Sequence, residues 1–125
     1  MHGAFDTEPI RLLDETDEVY VETRRDAGFP EHRTIVWVVV VEGEVFVRSV
    51  RGQKGRWYRE LSGNPEGALR VGERRVPVHA VPADDTTVEA VSEAYRSKYG
   101  ERWPGPTAAI VRPDVLQTTL KLSPA

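Results

Sequence analysis

The run Ile35-Val36-Trp37-Val38-Val39-Val40-Val41 constrains this chain more than any other feature, because every residue but the tryptophan is β-branched. Such side chains lose rotamer freedom in a helix and pack well on a pleated surface. The run therefore predicts a strand within Arg33 to Glu42, and its lack of polar alternation predicts cover on both faces. It falls well short of the roughly 20 apolar residues that span a bilayer, so no membrane segment is expected. Glu42-Gly43 is a tight-turn signal, and Glu44 to Val50 resumes the extended pattern, which makes a β-hairpin.

The other elements follow from periodicity and punctuation. Residues 1–17 are acidic and hold one short helical pattern, with Asp6 or Thr7 at its start, Pro9 in its first turn and Ile10, Leu12 and Leu13 facing inward. Glu18 to Arg25 alternates as a half-buried strand, and Asp26 to Glu31 reads as a loop. A short helix is expected from Arg56 to Ser62, stopped by Gly63-Asn64-Pro65. Ala68 to Val71 and Arg75 to Val81 read as strands joined at Gly72-Glu73, with Pro77 placing the second near an edge or bulge. Asp84-Asp85 caps a helix from Thr86 to Tyr99, Trp103-Pro104-Gly105-Pro106 reads as a rigid loop, and a last strand is expected within Val115 to Leu122. Tight turns join most of these strands, so the expected class is mainly β (α+β), a small antiparallel barrel with two to three short helices.

Composition narrows the function. The 125 residues suffice for one domain, taken here as 1–125, and 39% hydrophobic with 30% charged residues is ordinary globular usage. With no cysteine, thiolate catalysis, disulfides and cysteine zinc sites are excluded, and no basic and apolar leader pattern opens the chain; a cytoplasmic protein is expected. His2, His32 and His79 lack ligand spacing, and no serine stands in a nucleophile elbow, so the sequence supports neither a metal site nor hydrolysis. A net charge of −3 speaks against nucleic acid as the partner.

That acidic total hides a basic segment. Between Arg48 and Arg75 eight cations face three acids, a net of +5, while the remainder carries −8. Within it, Arg48-Ser49-Val50-Arg51-Gly52-Gln53-Lys54-Gly55-Arg56-Trp57-Tyr58-Arg59-Glu60-Leu61 leaves a strand, crosses a glycine-bearing basic loop and enters a helix. Those are the parts of an anion site: fixed cations, glycines that let backbone approach, and free N–H groups at a helix start. The P-loop pattern is missing. On residues alone, two readings stand: an anionic ligand, or a solvated edge whose arginines pair with acids elsewhere; Trp57 either walls a pocket or anchors the helix.

The strand Arg33 to Val40, the Glu42-Gly43 hairpin, Val45-Phe46-Val47-Arg48-Ser49, Lys54, Trp57-Tyr58-Arg59-Glu60-Leu61, and Asn64-Pro65 with Ala68-Leu69-Arg70-Val71 resemble the flavin-binding split β-barrel superfamily. That superfamily includes pyridoxamine-phosphate-oxidase-like proteins and deazaflavin-dependent nitroreductases. The run VRSVRGxxGRWYRE is most similar to small uncharacterised bacterial members. The resemblance covers residues 18–82 and implies a six-stranded antiparallel split β-barrel that dimerises around FMN or a deazaflavin coenzyme. It implies that Arg48, Ser49, Arg51 and Lys54 hold the cofactor phosphate, with Gly52 and Gly55 allowing close approach and Arg56 and Trp57 opening the helix that faces it. Arg33, Thr34, Ile35 and Val36 match the strand whose backbone lies along the ring. Arg59-Glu60-Leu61 departs from the nitroreductase continuation. The implied activity is reduction of a small acceptor through the bound cofactor, with no protein base. The alternatives are a non-catalytic cofactor or anion carrier and a barrel acting through protein contacts, neither requiring turnover.

Overall fold

A computed structural model describes residues 4–125. Six strands, β1 (Glu18–Arg24), β2 (Glu31–Val41), β3 (Glu44–Val47), β4 (Glu66–Val71), β5 (Arg74–Pro82) and β6 (Leu120–Pro124), form a closed barrel in the order β1-β2-β3-β6-β5-β4. Every neighbouring pair is antiparallel, and β1 closes the ring against β4 through Val21 opposite Leu69. Four helices decorate it: α1 (Thr7–Glu15), α2 (Arg56–Gly63), α3 (Asp85–Tyr99) and α4 (Pro104–Ile110). The antiparallel split barrel anticipated from the sequence is thus the fold, with one helix more than expected.

β2 is covered twice, which explains its unbroken apolar run. Val36 and Val38 face the barrel interior with Val19, Val21, Val45, Val47, Leu69 and Val78. Val39 faces outward onto a second cluster built from Phe46, Val91, Tyr95, Tyr99 and Ile110. α3 supplies most of that cover through the stripe Val91, Tyr95 and Tyr99. α1 docks Leu13, fully buried, with Ile10 and Leu12 packed against the barrel core.

Four sequence expectations change. Trp103 to Pro106 is not a loop throughout: Pro104 and Pro106 occupy the first turn of α4, where a missing N–H costs nothing, and Thr107 and Ile110 turn inward. The last strand is shorter and later than expected. Pro113–Thr118 is a 3₁₀ segment burying Val115 and Thr118, three apart as that helix requires, and β6 starts only at Leu120. β3 ends at Val47, since the following residues peel away to bond other elements. Pro77 lies on an internal strand; it faces Ala68 of β4, and the β5–β6 register begins at Val78, so its absent N–H breaks no ladder.

Candidate functional site

The segment after β3 splits its cations between two fates. Arg48 is 2% exposed, and its guanidinium donates to Thr119 Oγ1 at 2.8 Å, Ser92 Oγ at 2.8 Å, Ile110 O at 3.2 Å and Val88 O at 3.1 Å. It ties α3, α4 and the approach to β6 onto the end of β3, and desolvation depresses its pKa. Arg51 and Lys54, in contrast, are exposed and form no ion pair among the described residues. Arg51 precedes and Lys54 ends a 3₁₀ turn, Gly52–Lys54, entered through Gly52 at φ +65°, a conformation that favours glycine.

This turn delivers the chain to α2 with its N-terminus open. The first intrahelical bond runs from the Arg59 N–H to Gly55 O, and no side chain caps the helix, so the N–H groups of Arg56, Trp57 and Tyr58 lack intrahelical acceptors. A Cβ at Gly55 would stand 2.5 Å from Ser49 Oγ, so any larger residue there requires Ser49 to rotate or the turn to shift. Ser49 Oγ itself is buried and has no hydrogen-bond partner among the described residues.

Beside the turn lies a mostly apolar cleft of about 190 Å³, bounded by Ile35, Val36 and Trp37 of β2, Arg48 and Val50 after β3, Trp57 of α2, Pro106 and Ile110 of α4, and Glu18. Of the residues picked out in the sequence, Ile35, Val36, Arg48 and Trp57 meet in this cleft, while Ser49, Arg51, Gly52, Lys54 and Gly55 belong to the segment that joins its lining residues Arg48 and Trp57 without lining it themselves. Three go elsewhere. Thr34 stands opposite Val21 of β1 and does not line the cleft. Arg33 binds Glu22 at 2.9 Å. Arg56 turns into a separate hollow with Arg25 and Arg59. The contribution of α4 escaped sequence reasoning because its proline-rich start reads as a loop; the signal was Thr107 and Ile110 at helical spacing after Pro104.

Two further groups pack around β2. Trp37 stacks on Tyr99 with centroids 4.0 Å apart and planes within 1°, and Trp103 leans on both. Tyr95 donates to Trp37 O, and Tyr99 donates to Asp17 O at 2.6 Å; burial pushes both phenols upward. Lys98 donates to Leu13 O and Val38 O, and desolvation lowers its pKa to about 8. Glu22, 1% exposed, accepts from Arg33, Arg70 and Arg75 at 2.7–2.9 Å. Its burial acts upward, but the arginines outweigh it and the carboxyl is held low.

His32 pairs with Glu60, and His79 with Glu66; His2 lies outside the described residues. Among the described residues no three His, Cys, Asp or Glu side chains gather as a metal site, and no helix is long and apolar enough to cross a membrane.

Solved structures share the barrel. A protein of unknown function from Agrobacterium tumefaciens matches with a TM-score of 0.64 at 14% identity over 94% of this chain, which spans only 54% of that protein. The heme storage protein HutZ from Vibrio cholerae matches with a TM-score of 0.63 at 16% identity, over 98% of this chain and 92% of that one. An F420-H2 dependent reductase matches with a TM-score of 0.63 at 14% identity, over 84% and 92% of the two chains. At these identities the likeness is one of fold. No curated protein sequence matches the chain. The sequence profile of the bacterial family DUF2255, described as an uncharacterized protein conserved in bacteria, matches residues 9–122, and the chain belongs to that family.

Proposed function

We propose that this protein binds a phosphate-bearing planar cofactor of the flavin or deazaflavin class, its phosphate on the Arg51–Trp57 turn and its ring in the adjoining cleft. One observation carries the reading: Arg51 and Lys54, in no ion pair among the described residues, the uncapped α2 N-terminus and the buried Ser49 hydroxyl all lie in the segment between Arg48 and Trp57, two residues that line an apolar cleft. The chain fits such a group chemically. Arg51, Lys54 and the backbone N–H groups of α2 would hold the phosphate, Gly55 keeps the backbone close, and Trp57, Ile35 and Val36 would wall the ring. Arg48, bonded within the protein, acts by positioning that wall rather than by gripping phosphate. When bound, the cofactor would supply hydride transfer to a small acceptor. The protein's own part is to bind, orient and exclude water.

The F420-H2 dependence of one structural relative agrees with this reading. Heme, stored by another, fits the cleft less well, since none of the residues bounding it is the His, Cys, Met or Tyr that holds heme iron. The exposed Tyr20, Ile35 and Val50 on and near the cleft would be covered by a second copy, so the working unit is read as a homodimer.

Fluorescence titration against FMN and the deazaflavin coenzyme, side by side, tests the proposal. A saturable signal for one, weakened about tenfold by Lys54→Ala or Arg51→Ala, is expected. Silence with both cofactors, or variants that bind like wild type, would overturn it.

A further inference from the structure

A second basic feature lies outside the cleft. Arg25 after β1 and Arg56, Arg59, Glu60 and Gly63 of α2 enclose a hollow of about 430 Å³ that shares no residue with the cleft. Its three guanidiniums form no ion pair among the described residues, although acids outnumber bases in the chain and eight other arginines are paired. The hollow's own carboxylate is engaged below them: Glu60 accepts from Thr23 Oγ1 at 2.8 Å and pairs with His32 Nδ1 at 2.9 Å, its side chain 11% exposed. Burial acts upward on it, and the hydrogen bonds from Thr23 and His32 together with the nearby charge of Arg56 hold it ionised. Arg25 is fixed over the Phe29 ring, 4.8 Å from its centroid. Arg56 and Arg59 stand one helical turn apart, where like charges repel unless an anion lies between them.

We propose that this hollow is an anion site for an oligophosphate group. Three guanidiniums against one carboxylate leave a net of two positive charges, more than one carboxylate ligand would neutralise. Each planar guanidinium presents paired N–H donors that match phosphate oxygens two at a time. The group belongs either to free pyrophosphate or to a nucleoside diphosphate. The inference stands apart from the cofactor reading, because the two sites use different side chains.

Calorimetric titration of the full chain with pyrophosphate, ADP and citrate tests it, on wild type, Arg25→Gln/Arg59→Gln and, as a control for net charge, Arg74→Gln, an exposed arginine outside both sites. Pyrophosphate should saturate a site that weakens at least tenfold in the double variant and changes less than about twofold in Arg74→Gln. ADP binding tenfold tighter than pyrophosphate would identify a nucleotide as the source, and equal binding the free oligophosphate; both support the assignment. No saturation, an equal loss in Arg74→Gln, or citrate binding as tightly as pyrophosphate would overturn it. Both substituted arginines are exposed and outside the core, so circular dichroism of the double variant should match wild type and separate lost binding from lost fold.

Discussion

Gly55→Ala offers the sharpest test of how the turn is built. Gly55 has φ −62° and ψ 128°, angles that alanine adopts freely, so the substitution carries no backbone penalty. Its new methyl would instead lie 2.5 Å from Ser49 Oγ, far inside ordinary contact, whereas Ser49 Cβ lies at 3.6 Å and can stay where it is. Ser49 must then rotate or the turn must shift, at about 1–2 kcal/mol for overpacking in a buried site. Ser49→Ala alone should be neutral or slightly stabilising, because the hydroxyl is buried and partnerless. In the Ser49→Ala background, Gly55→Ala should therefore cost almost nothing, giving a coupling of about 1–2 kcal/mol. Urea unfolding of the four proteins measures it. If Gly55→Ala costs the same in both backgrounds, the Ser49–Gly55 contact does not shape the turn.

Arg48→Met should lower stability by about 2–4 kcal/mol in denaturant titration, since it strands Ser92, Thr119 and two carbonyls that Arg48 bridges. Glu22→Gln should cost about 1–3 kcal/mol at neutral pH, leaving Arg33, Arg70 and Arg75 without their shared carboxylate. Because the folded carboxyl is held below its ordinary value, that contribution is complete above it and fades as pH falls through the folded value, so wild type and variant should converge in acid. Lys98 titrates at about 8 folded against 10.5 ordinarily, so the unfolded chain holds more protons between those values and stability should rise with pH there by about 1–2 kcal/mol after solvent screening. Above pH 10 the slope should reverse as the unfolded chain ionises Tyr95 and Tyr99, which stay protonated when folded; thermal melts of wild type and Lys98→Met check both limbs.

The barrel was legible because its strands announce themselves locally. The β2 run, the turns at Glu42-Gly43 and Gly72-Glu73, and the stripe along α3 each sit within one window of sequence. The turn from Arg48 to Trp57 was legible for the same reason, as a contiguous string of glycines and cations. Arg48's own fate was not, because its acceptors come from residues 88, 92, 110 and 119, which only the assembled fold brings together. Glu22 likewise reads as an outward residue of an alternating strand; it is buried by arginines from β2, β4 and β5 that no local pattern pairs with it.

The order of strands around the barrel has a kinetic consequence. The hairpins β1–β2, β2–β3 and β4–β5 join neighbours in sequence and can zip as soon as both arms exist. β3 must wait for β6, with α2, β4, β5, α3 and α4 synthesised in between, and until then the backbone groups of Val45, Phe46 and Val47 lie open to any passing strand. Closure of that seam is the step with the largest loop entropy to overcome, and so it sets the interval during which a nascent chain is vulnerable to intermolecular pairing.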